Sequence, residues 1–269
     1  MRFLGAILAI LGVYLAVVAV AWWFQDRLVY RPDKAEPQRA AAGLADMVPV
    51  RIATADGLSL LAWYKPAQPR QPTLLYLHGN TGSIGLRGPR VRPFLDRGIG
   101  VLLLEYRGFG GNAGSPSEKG LIEDASAAYR FLREEGVIAA DIVPYGESLG
   151  SAVAAAIAAK QAVGAVVLEA PFTTLAEIGA YHYWYLPVAP LVRDRYDTLA
   201  RLGSVQAPVL VLHGVRDRVV PAEMGRRVYD TARPPKTLFL APEAGHTDLP
   251  RHGAVDEVLL FLRRHIVRA

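Results

Sequence analysis

Three residues of chemically useful type stand in settings that suit one another. Ser148 lies in Gly146-Glu147-Ser148-Leu149-Gly150, behind the apolar run Ile142-Val143-Pro144-Tyr145 and ahead of the strong helix former Ala152 to Ala159. The stretch reads strand, sharp turn, helix, with the serine at the turn, which is the G-x-S-x-G pattern of a nucleophile elbow. Such a turn lifts the hydroxyl above a sheet edge. Side chains two before and two after it would collide with neighbouring chain, hence Gly146 and Gly150. The helix that follows aims free N–H groups at the site, which favours negative charge there. A serine hydroxyl is a poor nucleophile until a base takes its proton. His246, in Glu243-Ala244-Gly245-His246-Thr247-Asp248, can be that base if a carboxylate fixes its tautomer. Asp217, in His213-Gly214-Val215-Arg216-Asp217, is the best candidate; Asp194 and Asp197 are rivals, and Asp248 is too near His246 in sequence to orient it.

An oxyanion formed at Ser148 needs two donors. The N–H of Leu149 is one expectation. The other is Asn80, in His78-Gly79-Asn80-Thr81-Gly82, the loop that follows the apolar run Thr73 to Leu77. The other histidines have plainer readings. His78 and His213 each precede a glycine at a strand end and read as structural. His182 falls in the aromatic stretch Tyr181 to Tyr185, and His252 and His265 read as solvated. No pair has metal-ligand spacing with a supporting carboxylate, so neither a metal nor a cofactor is expected.

These residues need elements to hold them. Val48 to Ala53 and Leu58 to Tyr64 flank the hairpin signal Asp56-Gly57. Apolar strands are expected at 73–77, 101–104, 141–145, 165–168, 209–212 and 237–240, and helices from Gly82 to about Arg97, from Pro116 to Glu135, after Gly150, and over 255–266. An antiparallel start followed by alternation implies an α/β protein: a mostly parallel sheet with helices on both faces. The candidate residues follow strand ends, the edge where such sheets place their sites. Residues 171–205 exceed a simple crossover. With Phe172, Tyr181, Tyr183, Trp184, Tyr185 and Leu186 they read as a small cap over the site, or else as a crossover whose aromatics face the core.

The chain has 269 residues, enough for one large core, and no cysteine, which excludes disulfides and thiolate chemistry. Its net charge of +5 suits a basic soluble surface or an anionic lipid surface. No basic run interleaved with aromatics suggests nucleic acid. Phe3 to Phe24 carries no charged residue and ends in Trp22-Trp23-Phe24. As a helix it spans roughly 33 Å, enough for a bilayer. We read 1–24 as an uncleaved signal anchor rather than a signal peptide cut after Ala19-Val20-Ala21, and 25–46 as a juxtamembrane connector ahead of a catalytic domain at 47–269. Charge counting would keep that domain cytoplasmic; the more common behaviour of a short anchor before a large domain places it on the exported side.

The motifs HGNTGS, EYRGFGGNAGSPSE, YGESLGSA, EAPFTTL, HGVRDRVVP and AGHTDL together resemble the α/β-hydrolase superfamily. Within it, the chain is similar to membrane-anchored α/β-hydrolase-domain proteins, whose relatives include protein depalmitoylases, from the juxtamembrane FQDRLVYRPD to the C-terminus. The resemblance implies Ser148 as nucleophile, Asp217 as acid, His246 as base, and Asn80 with Leu149 as oxyanion hole. It implies a serine hydrolase of esters or thioesters that takes a small-molecule or lipid-like acyl substrate. A peptidase or amidase of the same fold is the alternative within enzymes, and a binding protein without turnover the alternative outside them. Pro144, just before the elbow, is a departure, because proline donates no ladder hydrogen bond.

Overall fold

A computed structural model describes residues 2–266. Helix α1, Arg2–Val29, comes first, then the two-residue strand β1, Arg31–Pro32. The hairpin β2, Val48–Ala53, and β3, Ser59–Lys65, follows. Next are β4, Thr73–Leu77, β5, Thr81–Gly82, α2, Gly88–Leu95, and β6, Gly100–Leu104. The middle of the chain gives α3, Glu118–Glu134, β7, Ile142–Glu147, α4, Leu149–Lys160, and β8, Val166–Glu169. Three short helices follow: α5, Leu175–His182, α6, Val188–Leu191, and α7, Thr198–Leu202. The last elements are β9, Val209–Gly214, α8, Ala222–Thr231, β10, Lys236–Ala241, and α9, Ala254–His265.

Eight strands form one sheet in the order β10-β9-β8-β7-β4-β6-β3-β2. β2 and β3 pair antiparallel, as do β3 and β6, and the other pairings are parallel. Parallel strands buried on both faces need apolar side chains on both, and β4, β6 and β9 are buried along their length. The alternation divides the core in two. Leu75 and Leu77 join α3, α4 and α8 on one face, and Leu74 and Tyr76 join α2 and α9 on the other. Pro144 lies inside β7, in register with Leu75 of β4, one residue before the pairing with β8 begins at Tyr145.

The N-terminal region differs from expectation. The helix runs past Phe24 to Val29, and the connector 25–46 is packed against the domain. Tyr30 and Leu44 are buried, β1 pairs with β5, and the Asp33 carbonyl accepts from the Gly110 N–H. Buried apolar anchors along a polar stretch are what a loop shows when it is packed rather than tethered. α1 itself has the length and apolarity to cross a membrane. In the region 171–205, Phe172 is buried, whereas Tyr181 in α5 and Trp184 and Tyr185 in the turn before α6 are exposed, and α7 returns to the core with Leu202 buried.

Candidate active site

The turn at Ser148 is strained and enforced. Ser148 has φ 52° and ψ −114°, a conformation that L side chains seldom adopt and that persists only where the surroundings impose it. Its N–H donates to the Glu169 carbonyl of β8 at 2.8 Å. A Cβ on Gly146 would lie 2.3 Å from the Gly150 carbonyl oxygen, and one on Gly150 would lie 2.0 Å from that of Leu77. The strand-turn-helix passage therefore closes only with glycine at both positions. α4 meets the sheet through small residues, with Leu149 to Ala158 buried without interruption.

Asp217 and His246 come from two loops at the same sheet edge, after β9 and β10. Asp217 Oδ1 accepts from the N–H groups of Val219 and Val220, both at 2.8 Å, which turns its other oxygen toward His246. His246 Nδ1 is 2.7 Å from Asp217 Oδ2, and His246 Nε2 is 3.0 Å from Ser148 Oγ. Ser148 and His246 are half-buried. Burial acts to raise the Asp217 carboxyl, but hydrogen bonding to His213 and His246 outweighs it and holds the group well below the usual carboxylate range. Of the two histidines His246 is the nearer, since His213 Nε2 lies 3.4 Å from Asp217 and 2.9 Å from the Val220 carbonyl. A hydroxyl, an imidazole and an ionised carboxylate in this series can pass the hydroxyl proton to the ring and stabilise the resulting charge.

The rival carboxylates have other partners. Asp194 accepts from Tyr30 Oη at 2.6 Å, Asp197 caps α7 through the Ala200 N–H, and Asp248 shapes the histidine loop through the Gly245 N–H. His78 is buried against Glu105 at 3.0 Å, a structural role like that of His213. His182 packs edge-on against Tyr181, with ring centroids 5.0 Å apart, and bonds the Val219 carbonyl.

Leu149 is the first residue of α4, and Gly79 lies against Ser148, with its Cβ direction 3.5 Å from Ser148 Cβ. Asn80 follows. Its side-chain amide donates to the Val29 carbonyl at 2.6 Å, and its own carbonyl accepts from the Arg31 N–H at 2.8 Å. The loop is thus pinned to the end of α1. Among the described residues, neither the Leu149 nor the Asn80 N–H donates to a protein acceptor. No group of three or more potential metal ligands lies together among them either.

Sequence reasoning missed the buried charges beneath the elbow. Glu147 meets Arg87 at 3.2 and 3.3 Å and Arg90 at 3.9 Å, and it accepts from Tyr76 Oη at 3.2 Å. Arg90 also bonds Glu169 at 2.7 Å and the carbonyl of Thr247, the residue after His246. Burial would raise the Glu147 carboxyl; Arg87 and Arg90 overcome it and hold it low. The available signal was charge where a buried strand should have none: Glu147 and Glu169 both end apolar runs.

Residues 68–195 match a family model described as serine aminopeptidase, S33, a span that contains Ser148 and stops before Asp217. An uncharacterized protein of Mycobacterium tuberculosis is 40% identical over 235 residues, covering 86% of this chain and 84% of that one. An alpha/beta hydrolase domain-containing protein of Arabidopsis thaliana is 30% identical over 88% of this chain and 86% of its own. A lysophosphatidylserine lipase of Danio rerio is 33% identical over 65% of this chain and 51% of its own. Among solved structures, an esterase of Pyrococcus furiosus superposes with a TM-score of 0.74 at 21% identity, over 88% of this chain and 97% of that one.

Proposed function

Since this chain belongs to the α/β-hydrolase superfamily, we propose that it is a serine hydrolase of carboxylic esters or thioesters, anchored to a membrane through α1. The series Ser148–His246–Asp217, at 3.0 and 2.7 Å, carries the reading. In the first half-reaction Ser148 Oγ bonds to the acyl carbon and its proton moves to His246 Nε2. Asp217 holds the ring and its new charge. The oxyanion is held by the N–H groups of Leu149 and Asn80. Collapse breaks the bond to the leaving alcohol or thiol, which departs with the proton from His246 and leaves an acyl-serine. Water then attacks the acyl carbon while His246 takes its proton, and a second collapse returns that proton to Ser148 and releases the acid.

The lipase and esterase among the similar proteins support an ester substrate. The family description keeps a peptidase or amidase reading open. A panel of p-nitrophenyl esters, acyl thioesters and aminoacyl amides on the detergent-solubilised protein tests the proposal. Turnover of esters or thioesters well above amides is expected. Turnover of amides alone would make it a peptidase, and no turnover with no fluorophosphonate labelling of Ser148 would make it a binding protein.

A further inference from the structure

We propose that the tip of the cap, Tyr183 to Val192, is itself inserted into the bilayer, in the leaflet crossed by the C-terminal half of α1. The inference rests on the reading of α1 as a membrane span. The two segments run side by side with their polarity in register. Gln25 lies near the polar end of α1; its side chain donates to the Leu191 carbonyl at 3.3 Å and accepts from the Arg193 N–H at 2.9 Å. The Arg193 guanidinium bonds Asp26 at 3.1 Å and the Trp22 carbonyl at 2.8 Å, and lies over the Trp22 ring at 4.7 Å. Charge on the cap thus begins, at Arg193-Asp194-Arg195, where charge on the helix begins. Before that point both are apolar: Tyr183 to Val192 (YWYLPVAPLV) has no charged residue and neither has Phe3 to Phe24.

A second contact fixes the depth. Tyr14 Oη donates to the Tyr185 carbonyl at 3.0 Å. Tyr14 lies near the middle of the span Phe3 to Phe24, and at 1.5 Å per residue it is about 12 Å from Trp22 along the axis. Helical side chains lean toward the N-terminus, so its hydroxyl sits no nearer to the Trp22 level than its Cα. If Trp22 marks the interface, as an aromatic at the end of a span does, Tyr185 lies inside the hydrocarbon. The side chains of the tip suit that place. Trp184 is 82% exposed and Tyr185 more than half exposed. Its backbone is partly closed on itself: Tyr183 N–H to Gly179, Leu186 N–H to Tyr183, Val188 N–H to Leu186 and Val192 N–H to Val188, with Pro187 and Pro190 having no N–H to satisfy. Glu177, the acidic residue of α5, is turned the other way and bonded to Thr173 and Arg227.

The other end of the cap reaches the site. His182 Nε2 is 2.7 Å from the carbonyl of Val219, whose N–H holds Asp217. An inserted tip would therefore set lipid a short way from the candidate triad, and substrate would arrive sideways from the leaflet.

The chain has no cysteine, so single-cysteine variants of the full-length protein can carry an environment-sensitive NBD label. Three positions are compared in phosphatidylcholine vesicles: Trp184→Cys on the tip, Ala16→Cys in α1, and Glu134→Cys on the exposed end of α3. Quenching is measured with lipids bearing a doxyl group at mid-chain and with aqueous iodide. The label at 184 is expected to behave as the label at 16 does, losing most of its emission to doxyl lipid and little to iodide, while the label at 134 does the reverse. A label at 184 that follows the label at 134, with 16 still quenched by lipid, overturns the insertion and leaves the anchor standing. A label at 16 quenched by iodide overturns the membrane span and the insertion together.

Discussion

Ser148 is bounded by two regions that use the same interaction in opposite surroundings. Beneath it, Glu147, Glu169, Arg87 and Arg90 form ion pairs that are almost wholly inside the protein, walled by the stacked rings of Tyr76 and Tyr145 at 4.9 Å. Beside it, the cap meets α1 through Arg193 and Asp26, whose side chains are 42% and 55% exposed. A charge taken out of water is costly to leave unpaired, so each buried group enforces the place of the next. A pair in water is loosely enforced and worth little. The region under Ser148 therefore fixes angles, including that of the histidine loop through Arg90 and Thr247. The region beside it decides only where the cap lies. Precision and adaptability are separated by burial rather than by residue type.

That contrast can be broken at several points, and the deepest effect should come from the chemistry itself. Ser148→Ala should remove fluorophosphonate labelling and lower turnover by roughly 10⁶, as loss of a triad nucleophile does, with the melting temperature little changed, since alanine keeps the Cβ that strains the turn. Labelling of the folded variant would displace Ser148 from its role. Asp217→Asn should cost roughly 10⁴ in kcat at unchanged fold, whereas Asp194→Asn and Asp197→Asn should leave kcat near normal. A deep loss in either of those two would move the acid into the cap region.

Arg90→Ala sharpens the comparison from below. It leaves Glu169 with Tyr145 Oη but no cation and weakens the hold on Glu147, and chemical denaturation should show a loss of about 3–5 kcal/mol. Its kcat should fall too, because the Thr247 carbonyl loses its partner; an unaltered denaturation midpoint would remove the network from its supporting role. Arg193→Ala, the exposed counterpart, should cost about 1 kcal/mol or less in the same measurement.

Acid should act on the buried side by a comparable route. Glu147 and Asp217 are both held below their unfolded values, about 4.3 and 3.9. Their contribution to stability is complete above those values. It is lost as pH falls below them toward the depressed folded values, because the unfolded chain takes up protons that the folded chain refuses. Thermal melts should be level from pH 7 to about pH 5 and then drop, and Glu147→Gln should flatten that drop. A melting temperature that instead rose on acidification would reverse the assigned direction of these shifts.

Much of this was readable from the sequence. Local backbone requirements are written locally, so Gly146, Ser148 and Gly150 announced their turn, and the apolar runs announced β4, β6, β7 and β9 at nearly their observed bounds. Asp217 and His246 could be ranked because each follows such a run. Pairings between distant residues leave no such local trace. Nothing near Arg90 indicates Glu169 or Thr247, and nothing in Arg31-Pro32 announces a strand that exists only because Thr81-Gly82 lies beside it. α8 carries little signal, because its apolar stripe, Met224 and Val228, is thin among charged neighbours. Residues 25–46 read as a connector on their polarity, because the few residues that pin them to the domain, Tyr30 and Leu44, form no periodic pattern.

The short pairing of β1 with β5 has a mechanical meaning. Val29 and Arg31, on either side of the point where α1 ends, are bonded to the side chain and backbone of the same residue, Asn80. A tilt or a push of α1 that breaks neither bond must carry Asn80 with it. The helix is in that sense a lever whose short arm ends beside Ser148, and the thickness and tension of whatever surrounds its long arm bear on the loop that would receive the reaction's negative charge.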